Sequence, residues 1–115
     1  MNQHRVQDMM QLMASRIDAI ADHISDQEVS AFISELLNAK RIYVMGAGRS
    51  GLVAKAFAMR LMHLGMTSYV VGETITPALQ KGDLIVVLSG SGITKTIIEI
   101  VQTAKEIGGR ICLIT

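Results

Sequence analysis

The sequence predicts an α/β fold in which helices cover both faces of a parallel sheet of about four strands. Short apolar runs rich in β-branched residues alternate with segments of helical periodicity. The run Leu84–Leu88 is apolar at every position, as expected of a strand that is buried on both faces. Glycine-rich turns at 46–51 and 89–92 each follow a strand and precede a helix, which places both at the carboxyl edge of the sheet.

Two helices are predicted before the first strand. Residues 1–24 carry Met, Leu and Ile at helical spacing, which is typical of an amphipathic helix. A second helix covers about 26–39 and begins with a capping box, in which Ser25 accepts a hydrogen bond from the N–H of Glu28. We expect these two helices to cover the sheet or a partner subunit.

The other elements follow in chain order. Strands are predicted at 41–45, 68–71, 84–88 and 110–115, and helices at 50–64 and 94–107. Pro77 fits the opening of a short helical turn, because proline needs no N–H there. We therefore expect a helical segment over residues 1–39 and an α/β domain over residues 40–115.

The loop after the strand 84–88 has the composition of a phosphate cradle. Gly90 and Gly92 allow close approach of the backbone, and Ser89, Ser91 and Thr94 add hydroxyl groups. The next helix directs free N–H groups and its positive dipole end at the same place. The alternative is a tight turn that needs glycine and binds nothing.

The first glycine-rich turn, at 46–51, matches the dinucleotide fingerprint G-x-G-x-x-G between a strand and a helix. Glu73 even follows the second strand at roughly the expected distance, but it lies beyond Gly72 in a predicted loop. Two cradles, one with Ser50 and the other with the hydroxyl-rich loop, better suit a small phosphorylated ligand between them. An NAD-binding half-domain remains a weaker alternative.

Composition narrows the class of protein. The 115 residues are 50% hydrophobic with a formal net charge of +1, so the basic surface of a nucleic-acid-binding protein is not expected. No apolar stretch approaches the ~18 residues of a membrane span. The single cysteine, Cys112, lies in an apolar run and predicts a buried thiol in a reducing compartment, so we expect a cytoplasmic protein. No group of residues has the spacing of a metal site.

Several motifs together carry a resemblance to a known family. They are Gly-Ala-Gly-Arg-Ser-Gly at 46–51, Ala-Met-Arg-Leu-Met-His at 58–63, Val-Gly-Glu at 71–73, Thr-Pro at 76–77 and Ser-Gly-Ser-Gly at 89–92. On these motifs, the chain from Arg41 to Thr115 resembles the sugar isomerase (SIS) domain. Within that superfamily it is most similar to the 6-phospho-3-hexuloisomerases.

The resemblance implies a three-layer sandwich with a flavodoxin-like parallel sheet and two extra N-terminal helices. It also implies interconversion of 3-hexulose 6-phosphate and fructose 6-phosphate through an enediol, in the ribulose monophosphate pathway of formaldehyde fixation. No cofactor is implied, and family members are commonly homo-oligomers, as dimers or tetramers. The expected substrate-binding residues are Gly48, Arg49, Ser50, Ser89, Gly90, Ser91, Gly92, Ile93 and Thr94.

The sequence departs from the family pattern in two places. Position 93 is usually polar in the family, most often Glu, and here it is Ile93. The family's general base is a glutamate beyond Thr115, so the resemblance implies a chain that lacks the C-terminal part and leaves its catalytic residue unknown. A non-catalytic SIS module that binds a sugar phosphate is the alternative.

Other polar side chains have simpler interpretations. Arg49 could reach either the substrate or an ion-pair partner. Glu73 is expected to cap its loop, and His63 to lie at an interface or a helix end rather than to catalyse. His4 and His23 are expected on the helical surface.

Overall fold

The computed structural model describes residues 5–90 and 94–115. The chain divides into two compact units, Met1–Ile33 and Ser34–Thr115. The described elements are α1 (Val6–Ala21), α2 (Asp26–Asn38), β1 (Ile42–Gly46), α3 (Arg49–His63), β2 (Ser68–Val70), β3 (Leu84–Leu88), α4 (Lys95–Ile107) and β4 (Arg110–Ile114). The order of helices and strands is the predicted one, with boundaries that move by a few residues.

Most apolar side chains of the two N-terminal helices are exposed. Neither α1 nor α2 contains a buried residue, and Met10 and Ile17 are 63% and 67% exposed. The predicted cap of α2 is confirmed, since the N–H of Glu28 donates to Ser25 Oγ at 3.2 Å. The first helix ends before position 24 because the N–H of His23 bonds to the carbonyl of Ile20, three residues back.

All strand pairs of the sheet are parallel, and the spatial order is β2-β1-β3-β4. In the central pair, Ile42 lies opposite Leu84 and Gly46 lies opposite Leu88. This is the first part of the flavodoxin-like order, in which the chain changes direction between β1 and β3. The predicted α/β fold with a parallel sheet is thus confirmed.

The core occupies both faces of the central strands, because alternate side chains point to opposite faces. On one face, the side chains that pack together come from β1, β3 and α4: Tyr43, Met45, Ile85, Val87, Ile97 and Ala104. The buried residues of the other face belong to β1, β3 and α3: Ile42, Val44, Leu84, Val86, Ala54, Ala58 and Leu61. The result is a layer of helix on each side of the sheet, as predicted.

The connection from β2 to β3 differs from the prediction at Pro77. That residue lies in an irregular segment, and no helical turn follows it before β3. The reason lies in the neighbouring backbone: the carbonyl of Ala78 accepts hydrogen bonds from Arg41 Nη2 at 3.1 Å and from the Tyr43 hydroxyl at 3.3 Å. Side chains from β1 and its approach therefore satisfy a group that a helical turn would otherwise use.

A buried carboxylate holds the start of β3. Asp83 is 6% exposed, and it accepts bonds from Arg41 Nε at 3.1 Å and from the N–H of Gln80 at 2.8 Å. Burial raises the pKa of Asp83, but the hydrogen bonds from Arg41 and Gln80 outweigh it, and the net pKa is lowered. This pair fixes the amino edge of the sheet, opposite the glycine-rich turns.

The edge strand β4 is only partly covered. Arg110, at its start, forms a two-point ion pair with Glu35 of α2. Cys112 is partly exposed rather than fully buried as predicted, because no strand of the described sheet pairs with the outer edge of β4. Burial still raises the pKa of its thiol. None of the described helices combines the length and apolar character needed to cross a bilayer.

Candidate functional site

The candidate site lies at the carboxyl ends of β1 and β3, where the sheet order reverses. From β1 the chain passes through α3 to β2 on one side, and from β3 it passes through α4 to β4 on the other. The two connections therefore diverge and leave a crevice between them. In open parallel sheets such a crevice is the usual place for a ligand.

The turn after β1 depends on glycine at three positions. Gly48 is the N-cap of α3 and has φ +56°, a conformation that favours glycine. A Cβ at Gly46 would lie 2.6 Å from the carbonyl oxygen of Ser50, and one at Gly51 would lie 2.8 Å from the carbonyl oxygen of Gly46. The first turn of α3 therefore packs directly against the backbone at the end of β1.

This packing places Ser50 beside the second loop. The N–H of Ser50 donates to the carbonyl of Ala47 at 3.1 Å, and its hydroxyl oxygen lies 3.3 Å from the position that a Cβ of Gly90 would take. Gly46 and Leu88 are paired in the sheet, so both loops leave it at the same level. The Ser50 side chain of the first glycine-rich turn thus lies beside the backbone of the second.

A cavity of about 310 Å³ occupies this crevice. Its described lining residues are Arg49, Ser50, Val53, Leu88, Ser89, Gly90, Ile114 and Thr115. Ser89 is 5% exposed, and its N–H donates to the carbonyl of Ile114 at 2.9 Å. Four of the residues expected from the sequence, namely Arg49, Ser50, Ser89 and Gly90, are therefore brought together.

Two of the remaining expected residues, Gly48 and Thr94, are described and do not line the cavity. Gly48 shapes the first loop and is not among the described residues that line the cavity. Thr94 is the N-cap of α4, and its hydroxyl oxygen accepts a bond from the N–H of Ile97 at 3.3 Å. Residues 91–93, which include the expected Ser91, Gly92 and Ile93, lie outside the described part of the chain.

The charge of the cavity suits an anion. Arg49 is its one charged side chain among the described lining residues, and α3 begins at that residue with no side chain capping its N-terminus. The partial positive charge of that helix end and the guanidinium therefore act in the same direction. None of the described lining side chains is a carboxylate or an imidazole, so these side chains offer binding groups and no general base.

The other polar candidates lie elsewhere. Glu73 forms an ion pair with Lys55 at 3.3 Å, with both side chains about half exposed. Glu73 also lines a second cavity of about 500 Å³, over Tyr43 and between α4 and the β2–β3 connection, which sequence reasoning missed. His63 is exposed in the last turn of α3, and His23 is exposed after α1. His4 lies outside the described residues.

Two contacts of structural importance also escaped sequence reasoning. Arg41 and Asp83 are 42 positions apart, and Glu35 and Arg110 are 75 apart. No local pattern signals either pair. Within residues 5–90 and 94–115, no three His, Cys, Asp or Glu side chains are grouped so that they could hold a metal ion.

The sequence of this chain matches a known family model and several known proteins. A family model described as the SIS domain matches residues 35–115. An uncharacterized protein from Aeropyrum pernix is 53% identical over 92 residues, and a 3-hexulose-6-phosphate isomerase from Bacillus subtilis is 45% identical over 95 residues. These alignments cover 76% and 83% of this chain.

Solved structures agree with the fold. The crystal structure of a hypothetical protein from Methanococcus jannaschii, for which a molecular function of 3-hexulose-6-phosphate isomerase was inferred, is 34% identical with a TM-score of 0.70. The match covers 88% of this chain and 66% of the Methanococcus chain. The alignments take in 43% of the Aeropyrum protein and 51% of the Bacillus protein. The chain thus spans about half the length of the curated relatives it matches.

Proposed function

The chain belongs to the SIS domain family, and from that membership we propose that it is the phosphosugar-binding part of an isomerase. The reaction we propose interconverts 3-hexulose 6-phosphate and fructose 6-phosphate. Relatives with the name 3-hexulose-6-phosphate isomerase support this choice, at 41% to 45% identity. The ribulose monophosphate pathway, formaldehyde fixation and a cytoplasmic location are parts of the same proposal.

The observation that carries the proposal is the meeting of two glycine-rich turns around one cavity. The first turn contributes Arg49 and Ser50, and the second contributes Ser89 and Gly90. A phosphate in this cavity accepts hydrogen bonds from the Arg49 guanidinium and from hydroxyl groups, and it is attracted by the positive end of the α3 dipole. Bound in this way, the phosphate acts as a handle whose binding energy positions the distant carbonyl carbons.

Proton transfer is assigned to a group outside the described cavity lining. Moving a carbonyl along a sugar through an enediol needs a carboxylate or imidazole base beside the reacting carbons. The described lining side chains contain neither. We therefore propose that these residues bind and orient the substrate, and that the base belongs to the region that the family resemblance places after Thr115.

The same cavity also supports a second function. A non-catalytic SIS module would use the identical cradle to sense a sugar phosphate, and it would need no base. The two functions differ in turnover, which needs a chain that also carries the base: conversion of 3-hexulose 6-phosphate to fructose 6-phosphate by such a chain supports the isomerase. Saturable binding without turnover by that same chain supports the binding module, whereas the 115-residue chain is expected to bind without turnover under both functions.

Binding is tested first, by calorimetric titration of the 115-residue chain with fructose 6-phosphate and, in parallel, with NAD. We expect saturable binding of the sugar phosphate and a loss of affinity of about tenfold in Ser50→Ala, which removes one hydrogen bond to a charged group. Ser34→Ala makes the same change at an exposed position of α2 and is the control. Equal affinities of Ser50→Ala and wild type would contradict the assignment of Ser50.

A second variant tests the other loop. Replacing both Ser89 and Ser91 by alanine is expected to abolish sugar-phosphate binding and to leave any NAD binding largely intact. Undiminished sugar-phosphate binding by this double variant would remove the second loop from the site. Saturable binding of NAD alone would favour a dinucleotide-binding half-domain instead.

Self-association is the last part of the proposal. Several apolar side chains of α3 are exposed, including Leu52 at 67%, Val53 at 55% and Met62 at 53%. Burying them against another copy would remove apolar area from water. Sedimentation velocity is expected to show a homo-oligomer, and a monomer at all accessible concentrations would contradict this part.

A further inference from the structure

We propose that Gly90 is a positioning residue: the absence of a side chain there leaves the Ser50 hydroxyl free to point into the cavity. The proposal deepens the proposed function, on which it rests for the identity of the ligand. It assigns to Gly90 a role that acts through a residue of the other loop. This role differs from the usual role of a glycine in such a loop, which is to let the backbone approach the ligand closely.

The distances around Gly90 carry the first step. Among the described residues other than its chain neighbours, the one atom within 4 Å of a Cβ built on Gly90 is Ser50 Oγ, at 3.3 Å. That separation is tighter than ordinary van der Waals contact, so with a methyl group at position 90 the Ser50 hydroxyl must move by a few tenths of an ångström. Gly90 itself does not have a positive φ, so alanine fits its backbone conformation.

The backbone of Ser50 leaves little room for adjustment. Its carbonyl oxygen lies 2.6 Å from the position of a Cβ on Gly46, and its N–H is bonded to the carbonyl of Ala47. Strand β1 and the first turn of α3 are therefore in direct backbone contact. The remaining freedom of Ser50 is rotation about χ1, which turns the hydroxyl to another staggered position.

The consequence is a specific coupling between the two loops. A methyl group at position 90 displaces the Ser50 hydroxyl and removes its bond to an anion in the cavity. The same methyl group has no such effect in a chain that carries Ser50→Ala, because the atom it would meet is gone. The effect of Gly90→Ala must therefore depend on which residue occupies position 50.

A double-mutant cycle measures this dependence. The four proteins are wild type, Ser50→Ala, Gly90→Ala and the double variant, each titrated with inorganic phosphate and with fructose 6-phosphate. We expect Gly90→Ala to weaken binding about tenfold when serine occupies position 50, as loss of one bond to a charged group does. In the Ser50→Ala background, we expect Gly90→Ala to change the affinity by less than about twofold.

Thermal unfolding without ligand gives an independent measurement on the same four proteins. The change in Tm caused by Gly90→Ala is expected to be more negative in the wild-type background than in the Ser50→Ala background. Gly109→Ala is the control: a Cβ there meets Leu79 Cδ2 at 3.0 Å and the carbonyl oxygen of Ala104 at 3.2 Å, just before the start of β4 and at the edge of the sheet opposite the cavity. Its effect on Tm is expected to be the same in both backgrounds.

The outcomes separate the two proposals. Wild-type protein that binds neither phosphate nor fructose 6-phosphate, but shows the coupling in Tm, refutes the proposed function and supports the positioning role. Equal effects of Gly90→Ala in the two backgrounds, in Tm and in any measured affinity, refute the positioning role. A loss of affinity that is independent of residue 50 also refutes it, because Gly90 would then act through its own backbone.

Discussion

Thr94 caps α4, and a set of substitutions can separate this role from the proposed one, which is phosphate binding. Its hydroxyl oxygen accepts a bond from the N–H of Ile97 at 3.3 Å, and its φ and ψ of −76° and 160° are those of an N-cap residue. Alanine removes this acceptor. Loss of such a cap costs about 1 kcal/mol, and we therefore expect Thr94→Ala to lower Tm by roughly 4 °C.

Aspartate at position 94 separates the two roles. Aspartate is as good an N-cap as threonine or better, so Thr94→Asp is expected to keep the Tm of the wild type. Its negative charge, however, repels a phosphate bound at the loop. At a separation of roughly 6 Å and an effective dielectric constant of about 40, this repulsion is about 1.4 kcal/mol per charge, or about tenfold in affinity.

The assay is thermal unfolding by circular dichroism together with calorimetric titration of fructose 6-phosphate. Thr94→Ser, which keeps both the cap and the donor, is the control and is expected to match the wild type in both measurements. An unchanged Tm in Thr94→Ala would refute the capping argument. Wild-type affinity in Thr94→Asp would remove position 94 from the phosphate site, whatever its effect on stability.

Three further predictions follow from other contacts. Gly46→Ala brings a methyl group against the Ser50 backbone and is expected to destabilise the fold by about 1–3 kcal/mol in chemical denaturation; wild-type stability would refute the close contact. The pKa of Asp83 is lowered from 3.8 by Arg41 and Gln80 against the effect of burial. Its stabilising contribution is complete above the unfolded-state pKa and is lost as pH falls through the folded-state value, so Tm should decline more steeply below about pH 4 in wild type than in Asp83→Asn. Glu73→Gln should leave fructose 6-phosphate affinity within about twofold of wild type, because Glu73 lines the other cavity; a larger loss would place it in the site.

Local patterns predicted the elements of the fold because the hydrophobic periodicity and the end signals of each element lie within or next to its own residues. The apolar run of Leu84–Leu88 indicates a strand covered on both faces, and the structure buries four of its five residues. The end of the helix predicted at 94–107 is equally local: Gly108 is the C-cap of α4, with φ 96°. The residues of α3 and α4 that face the sheet follow from helical spacing in the same way.

Pro77 shows where local reasoning ends. A proline at the start of a helical turn is a sound expectation when only neighbouring residues are considered. In the folded chain, Arg41 and Tyr43 donate to the carbonyl of Ala78 instead; they lie just before and within β1, more than thirty positions away. The competing partners become visible only once the sheet has brought them together.

One part of the site follows from the local sequence, and another part depends on contacts between distant residues. The glycine pattern of 46–51 predicted the tight passage from β1 into α3, because contacts within six residues determine it. The approach of Ser50 to Gly90 depends instead on the sheet register that pairs Gly46 with Leu88. A single sequence does not contain that register, so the expectation that both loops share one ligand came from the general rule for parallel sheets and from the hydroxyl groups of the two loops, and the family resemblance then implied the same.

The second cavity shows why the fingerprint G-x-G-x-x-G alone did not identify a ligand. In a dinucleotide site, the acidic residue after the second strand must face the same crevice as the glycine loop, where it binds the ribose. Here Glu73 pairs with Lys55 and lines the cavity over Tyr43, while the Ser50 crevice has Arg49 as its one charged side chain among the described residues. The glycines fix only how closely a helix packs against its strand. Among the described lining residues the charge is positive and there is no acid to bind a ribose, which favours the proposed small phosphorylated ligand over a dinucleotide.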